Sequence, residues 1–173
     1  MPLEIPYPGR PSTPLTDAVI EGYRRGDPAP SEWQIGDALN EIGHGRRSEL
    51  AVTLRQECYA RNHDGARYSL ARLEMIADIA HAFPPRERDE ALSFSHYEDV
   101  LRAKLHGVIG QFCLGIAKEK MLAHKGLRNV IKDVRAATTV GADGMIVVDA
   151  MPQWGTGRLV LRAPDDDVQT ALF

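Results

Sequence analysis

Six histidines and two cysteines are the side chains of this chain best suited to metal binding or nucleophilic chemistry. Cys58, His63, His81, His96, His106 and Cys113 follow one another through its middle. Their spacing contains no C-x-x-C, H-x-x-x-H or H-E-x-x-H, the patterns that bring zinc ligands together locally. Ser93, Ser95 and His96 are neighbours, as a nucleophile and its base must be in space. Helix capping accounts for the same serines. Gly155-Thr156-Gly157 lacks the G-x-x-x-x-G-K-[ST] of a phosphate loop, and a strand pattern rather than a helix follows it. Asp165-Asp166-Asp167 reads as a solvated acidic run. No catalytic set, metal or cofactor is expected, and the expectation is a protein that is not an enzyme.

Charge carries more information. Residues 102–135 hold Arg102, Lys104, Lys118, Lys120, Lys125, Arg128, Lys132 and Arg135 against Glu119 and Asp133, a net +6. The remainder holds thirteen basic and twenty-two acidic residues, a net −9, so the overall −3 is the sum of two unlike parts. A one-signed basic cluster is what phosphate binding needs. A solvated helix face is the ordinary alternative.

The cluster falls on a helix-turn-helix pattern. Ala117–Ala123 reads as the end of one helix, His124-Lys125-Gly126 as a tight turn, and Leu127–Ala136 as the next helix, burying Leu127, Val130, Ile131 and Val134. Lys118, Lys120 and Lys125 would then hold phosphates. Arg128, Asn129 and Lys132 would approach bases from the polar side of the second helix, which also carries Arg135, since Arg and Asn suit base edges. A second candidate surface gathers Arg67, Tyr68, Ser69 and Arg72 at the start of the helix running from Ser69 to Phe83, since helix N-termini favour phosphate. Glu74 and Asp78 further along would repel a phosphate backbone they faced.

Other elements must position these residues. Five prolines among residues 1–15 predict an extended arm. Thr16 predicts the cap of a short helix, Asp17–Arg25, ended by Gly26, Asp27, Pro28 and Pro30. Ser31-Glu32-Trp33-Gln34 is a capping box before a helix over Glu32–Ile42, with Ile35, Ala38, Leu39 and Ile42 on one face. Arg46–Arg61 predicts another helix, followed by the Asn62–Gly65 turn. Ser69 caps a helix with the stripe Leu73, Ile76, Ala77 and Ala80, closed at Phe83 by Pro84-Pro85. Ser95–Glu98 predicts a second capping box. The helical pattern then runs from Val100 to Leu122, interrupted by Gly107, Gly110 and Gly115. Cys58 and Cys113 fall on apolar helix faces as core thiols.

Beyond residue 136 the texture changes. Met145–Ala150 and Arg158–Ala163 predict a β-hairpin joined by the Gly/Pro loop that carries Trp154. That Trp either meets a partner or covers the helices, whereas Trp33 is expected in the core. A lone hairpin is marginal in water, so it must lie on the helices or pair with another chain. The expected fold is mainly α, a multi-helix domain over 16–136 with helix-turn-helix elements, plus a C-terminal β-hairpin and tail over 137–173 that acts in dimerisation or as a wing. Arg158 and Arg162 would face phosphate in the wing arrangement.

Several short motifs occur in the order seen in one family. Trp33-Gln34-Ile35-Gly36-Asp37-Ala38-Leu39 resembles the W-x-x-G-D-x-L opening of LmbU-type regulators of actinobacterial antibiotic clusters. Tyr68-Ser69-Leu70-Ala71-Arg72-Leu73, running to Ala80-His81-Ala82-Phe83-Pro84-Pro85, is similar to that family's tyrosine-led helix. Leu92-Ser93-Phe94-Ser95-His96-Tyr97 stands where the family has L-S-F-x-H-H, and Gly126–Ile131 resembles its last helix. Ser69–Val100 is more loosely similar to the helix-turn-helix region of ParB-type partition proteins. The resemblance covers about residues 31–136 and implies a DNA-binding transcriptional regulator. The chain departs from the pattern at Tyr97 and over Asn62–Arg67.

With 173 residues, 43% hydrophobic and 26% charged, the chain is long enough for a core without staples. Two cysteines make no disulfide framework. No apolar run reaches membrane-span length, and Met1–Pro6 lacks the regions of a signal peptide. A cytoplasmic protein bound to double-stranded DNA as a homodimer is the leading expectation, with a protein partner at the hairpin as a further one. The rival class is a protein-interaction module, an accessory or anti-activator protein of a plasmid, phage or integrative element, that binds no DNA itself.

Overall fold

The computed structural model describes residues 14–25, 27–41, 51–52, 68–105, 107–141 and 145–162. They are mainly helical, as the pattern predicts, and late in the chain a small antiparallel sheet has three strands where a two-stranded hairpin is expected. Two compact units divide at Pro85 and Arg86.

The first unit contains α1 (Pro14–Arg25), α2 (Glu32–Glu41) and α3 (Leu70–Ala82). Helix α1 begins at Pro14 rather than Asp17, which puts Thr16 inside the first turn and not at the cap. A proline fits the first helical position because its φ is already helical and its missing N–H is not needed there. The helix ends where expected, with the Asp27 N–H donating to the Gly22 carbonyl at 2.9 Å. The α2 capping box is present in both directions. Gln34 N–H donates to Ser31 Oγ at 3.2 Å, and Ser31 N–H donates to Gln34 Oε1 at 2.8 Å.

Ile35, Ala38 and Leu39 are buried, and α2 packs on α3 at Gly36. A Cβ at Gly36 would lie 2.6 Å from Ala80 Cβ and 2.8 Å from the Ile76 carbonyl oxygen. Only a hydrogen permits that approach. Asn40 Nδ2 adds a bond to the Ala77 carbonyl at 2.8 Å. Ser69 caps α3 through the Arg72 N–H at 3.1 Å, and the predicted stripe Leu73, Ile76, Ala77 and Ala80 is buried, joined by Ile79. The predicted helix Arg46–Arg61 lies outside the described residues apart from Ala51 and Val52, which are helical. Residues 1–13, the Asn62–Gly65 turn, Ile42, Cys58, His63, Arg67 and His106 also lie outside them.

The second unit places α4 (Phe94–Arg102), α5 (Gly107–Glu119) and α6 (His124–Ala137) before β1 (Thr138–Val140), β2 (Met145–Val148) and β3 (Leu159–Arg162). Helix α4 starts at Phe94, two residues before the His96 start that the Ser95–Glu98 box implies. Its cap is Ser93, and His96 takes the role assigned to Glu98. Starting at Phe94 lets that ring be buried. His96 Nδ1 accepts from the Ser93 N–H at 3.1 Å, so Nε2 is the donor to the Leu122 carbonyl at 2.8 Å. The histidine thereby ties the start of α4 to the turn before α6.

The helical pattern over Val100–Leu122 is broken after Arg102. Lys104 (φ 53°) and Gly107 (φ 70°) adopt left-handed backbone. Gly110 then faces the Leu105 carbonyl and Val100 Cγ1, where a Cβ would have no room. Between α5 and α6 the turn is Lys120–Ala123, with Met121 at φ 48°. His124, Lys125 and Gly126, predicted as the turn, form the first turn of α6 instead. Gly126 is tolerated there because the Leu122 side chain lies over it, 3.1 Å from where a Cβ would sit.

Helix α6 runs directly into β1, a strand the sequence pattern missed. The predicted hairpin is β2–β3, registered Val148↔Leu159, and β1 joins it at Thr138↔Val148. Ile146 and Val148 are buried, and β2 packs on α6. The strands therefore rest on a helix, which a lone hairpin requires for stability. No helix among the described residues is long and apolar enough to cross a membrane.

Two expectations follow. Gly110→Ala should cost about 1–3 kcal/mol by overpacking. Gly115→Ala, on the same helix with nothing within 4 Å of its Cβ position, should gain about 0.5–1 kcal/mol. Urea denaturation reads both. Cys113 is fully buried, and burial pushes its thiol from 9.0 up to about 12. The folded thiol keeps its proton where the unfolded one loses it, so this group's stabilisation is present below about pH 9 and lost as pH rises toward about 12. Iodoacetamide at pH 8 should label the Cys113 peptide only after unfolding, as mass spectrometry would report.

Candidate nucleic-acid interface

Helix α6 is amphipathic, and burial fixes how it is turned. Leu127, Val130 and Val134 are fully buried and Ile131 nearly so, the set predicted from spacing. Lys125, Asn129, Lys132 and Ala136 recur at i, i+4, i+7 and i+11 on the opposite side, and all four are exposed. Lys125 and Lys132 form no ion pair among the described residues. Ala123, the residue before the helix, offers no side-chain cap, so the first-turn N–H groups are not closed off by one.

The flanks of α6 are occupied. Arg128 Nε donates to Asp99 Oδ1 at 2.9 Å, and Asp99 is only 7% exposed. The second oxygen of Asp99, Oδ2, is buried without a hydrogen-bond partner, with His124 Nδ1 3.6 Å away. Arg135 donates to the Ala103 carbonyl at the end of α4. On the other flank Asp133 Oδ2 accepts from Trp154 Nε1 at 2.8 Å and from Gln153 Nε2 at 3.3 Å. Trp154 thus covers the helix. The loop that carries it folds through a 3-10 turn, Pro152–Trp154, and a left-handed Gly155 (φ 71°).

The remaining predicted residues divide as follows. Lys118 Nζ pairs with Asp89 Oδ2 at 2.5 Å, which lowers the Asp89 carboxyl below its usual range and raises the lysine. That pair stands in an open cleft of about 420 Å³ with Arg86, Arg88, Gln111 and Tyr97. The buried Tyr97 hydroxyl accepts from the Asp89 N–H at 2.5 Å. Lys120 lies 3.3 Å from Glu119 and beside the Gly155 backbone. In the first unit, Arg72 binds Glu32 at 2.6 Å, and burial followed by the Glu32 charge raises the Tyr68 phenol. Ser69 Oγ serves as the α3 cap. Tyr68 and Arg72 are therefore engaged with Glu32 of α2, and Ser69 with the start of α3. The Arg158–Asp149 contact is long, at 3.7 Å between exposed groups.

Asp99 is the residue that sequence reasoning passed over. It shares the stripe His96, Asp99, Val100, Ala103 at i, i+3, i+4 and i+7, all buried. An acid on an apolar stripe signals a partner elsewhere in the fold. Among the described residues, no group of three or more His, Cys, Asp or Glu side chains could hold a metal ion. Comparisons with known protein families, with characterised proteins and with solved structures give no match to this chain.

Removing Arg128 would leave a buried carboxylate with neither oxygen bonded. Arg128→Ala should therefore destabilise the protein by about 1–3 kcal/mol. Adding Asp99→Asn should recover part of that loss, because the buried charge goes with it. A double-mutant cycle in urea checks both.

Proposed function

We propose that this chain is a sequence-specific DNA-binding transcriptional regulator that lays the outer ridge of α6 in the major groove. The observation that carries the proposal is the ridge itself: Lys125, Asn129 and Lys132 are exposed along one side of a helix whose opposite side is buried. A helix about 10–12 Å across fits a groove about 12 Å wide. Lys125 and Lys132 supply phosphate contacts, and the N–H groups of the first turn add a partial positive charge at the same end. The sheet follows α6 without a linker and serves as a wing beside it. The resemblance to LmbU-type regulators supports the same class. A cytoplasmic homodimer is the proposed working form, because two ridges on paired half-sites multiply a weak single contact.

A protein-interaction role is the second proposal, favoured by one observation. Val160 is 51% exposed and pairs across the strands with Val147, whose other neighbour is the exposed Thr139. The two valines form a small apolar patch suited to another protein surface.

Mobility shift on duplex DNA across a salt series separates the two. DNA binding predicts affinity that falls steeply with salt, with Lys125→Ala and Lys132→Ala each reducing the log–log slope by about 1. Folded protein that gives no shift at low salt would overturn the regulator proposal.

A further inference from the structure

We infer that Asn129 is the base-reading residue of the α6 ridge and that the base it reads is adenine. The inference rests on the DNA-binding proposal and deepens it.

Three polar side chains stand on the ridge, and they differ in chemistry. Lys125 and Lys132 carry only donors. An ammonium suits any phosphate oxygen and discriminates weakly among base edges. Asn129 carries a donor and an acceptor side by side in one plane. Adenine presents the complementary pair in the major groove, the N6 amino group and N7, and the amide meets both at once. The guanine edge offers two acceptors there and cannot satisfy the amide oxygen.

Position supports the same assignment. Asn129 lies one helical turn after Lys125 and just under one turn before Lys132, with all three exposed. At about 1.5 Å of rise per residue, the lysines stand roughly 6 Å and 4.5 Å to either side along the axis. Cations that hold the backbone at both ends would place the amide over the bases between them.

Arg128, the obvious rival for base reading, is committed elsewhere. Its Nε holds Asp99 Oδ1, and Asp99 Oδ2 already lacks a partner. That bond holds the guanidinium on the α4 flank of α6, to the side of the ridge that carries Asn129. Arg135 is likewise held by the Ala103 carbonyl. Asn129 has no such tie among the described residues, and it is exposed.

The test is selection from a random duplex library by the full chain, with wild type and Asn129→Ala in parallel. Wild type should enrich a motif with a fixed adenine that Asn129→Ala no longer requires. Replacing that adenine by 7-deazaadenine, which removes N7 and leaves the protein untouched, should weaken wild-type binding roughly 2- to 12-fold, the loss of one of the two hydrogen bonds. The same replacement should leave Asn129→Ala unchanged, and the salt slopes of the two proteins should agree. Asn129→Ala selecting the wild-type motif, or 7-deazaadenine without effect on wild type, would overturn the assignment while DNA binding itself stood. Absence of any salt-dependent duplex binding by wild type would overturn the DNA-binding proposal beneath it.

Discussion

Burial of one face of α6 is the constraint on which the second unit depends. Leu127, Val130, Ile131 and Val134 are worth about 1.5–3 kcal/mol each when removed from water. No exposed ion pair in the unit competes with that, since such pairs contribute about 0–1 kcal/mol. The helix therefore turns to satisfy its apolar residues, and its charges take whatever directions remain. Lys125, Asn129 and Lys132 emerge on the side opposite the core, while Arg128, Arg135 and Asp133 emerge on the flanks, beside α4 and the Trp154 loop.

Two polar contacts refine that placement. His96 bridges the Ser93 cap to the Leu122 carbonyl and so joins the start of α4 to the turn that launches α6. Asp99 holds Arg128 from the same helix. A buried carboxylate with one oxygen unpartnered is costly, yet it gives α6 a fixed neighbour in its first half. Apolar burial sets the rotation of α6, and these bonds hold it against α4. The turn itself is carried by Met121 in left-handed backbone, a conformation that a side chain adopts only when its surroundings demand it.

A basic segment of net +6 overstates the charge free to act. Lys118 pairs with Asp89, Arg128 with Asp99 and Arg102 with Glu98, Arg135 meets a carbonyl, Lys120 lies against Glu119, and Lys104 is also engaged. What remains for an outside partner is a short ridge of two lysines around an asparagine. That is a smaller cluster than the sequence count suggests, but better arranged, because every member points the same way.

Local signals decided much of this fold. The Ser31–Gln34 box, the Ser69 cap, the stop at Phe83 and the buried face of α6 were all legible, because each depends on side chains within a few residues of one another. The sequence also determined the mainly helical class and the β2–β3 pairing. Tertiary structure alone decided the rest. It moved the α4 cap to Ser93 so that Phe94 could be buried, and it absorbed His124–Gly126 into α6 once Leu122 could pack over Gly126. It added β1, which has too few residues to show a strand period and exists because β2 lies beside it. Above all it chose which cations stay free, since Asp89 and Asp99 lie twenty-nine residues from Lys118 and Arg128. Spacing within a helix cannot reveal a partner on another helix; only packing brings the two charges together.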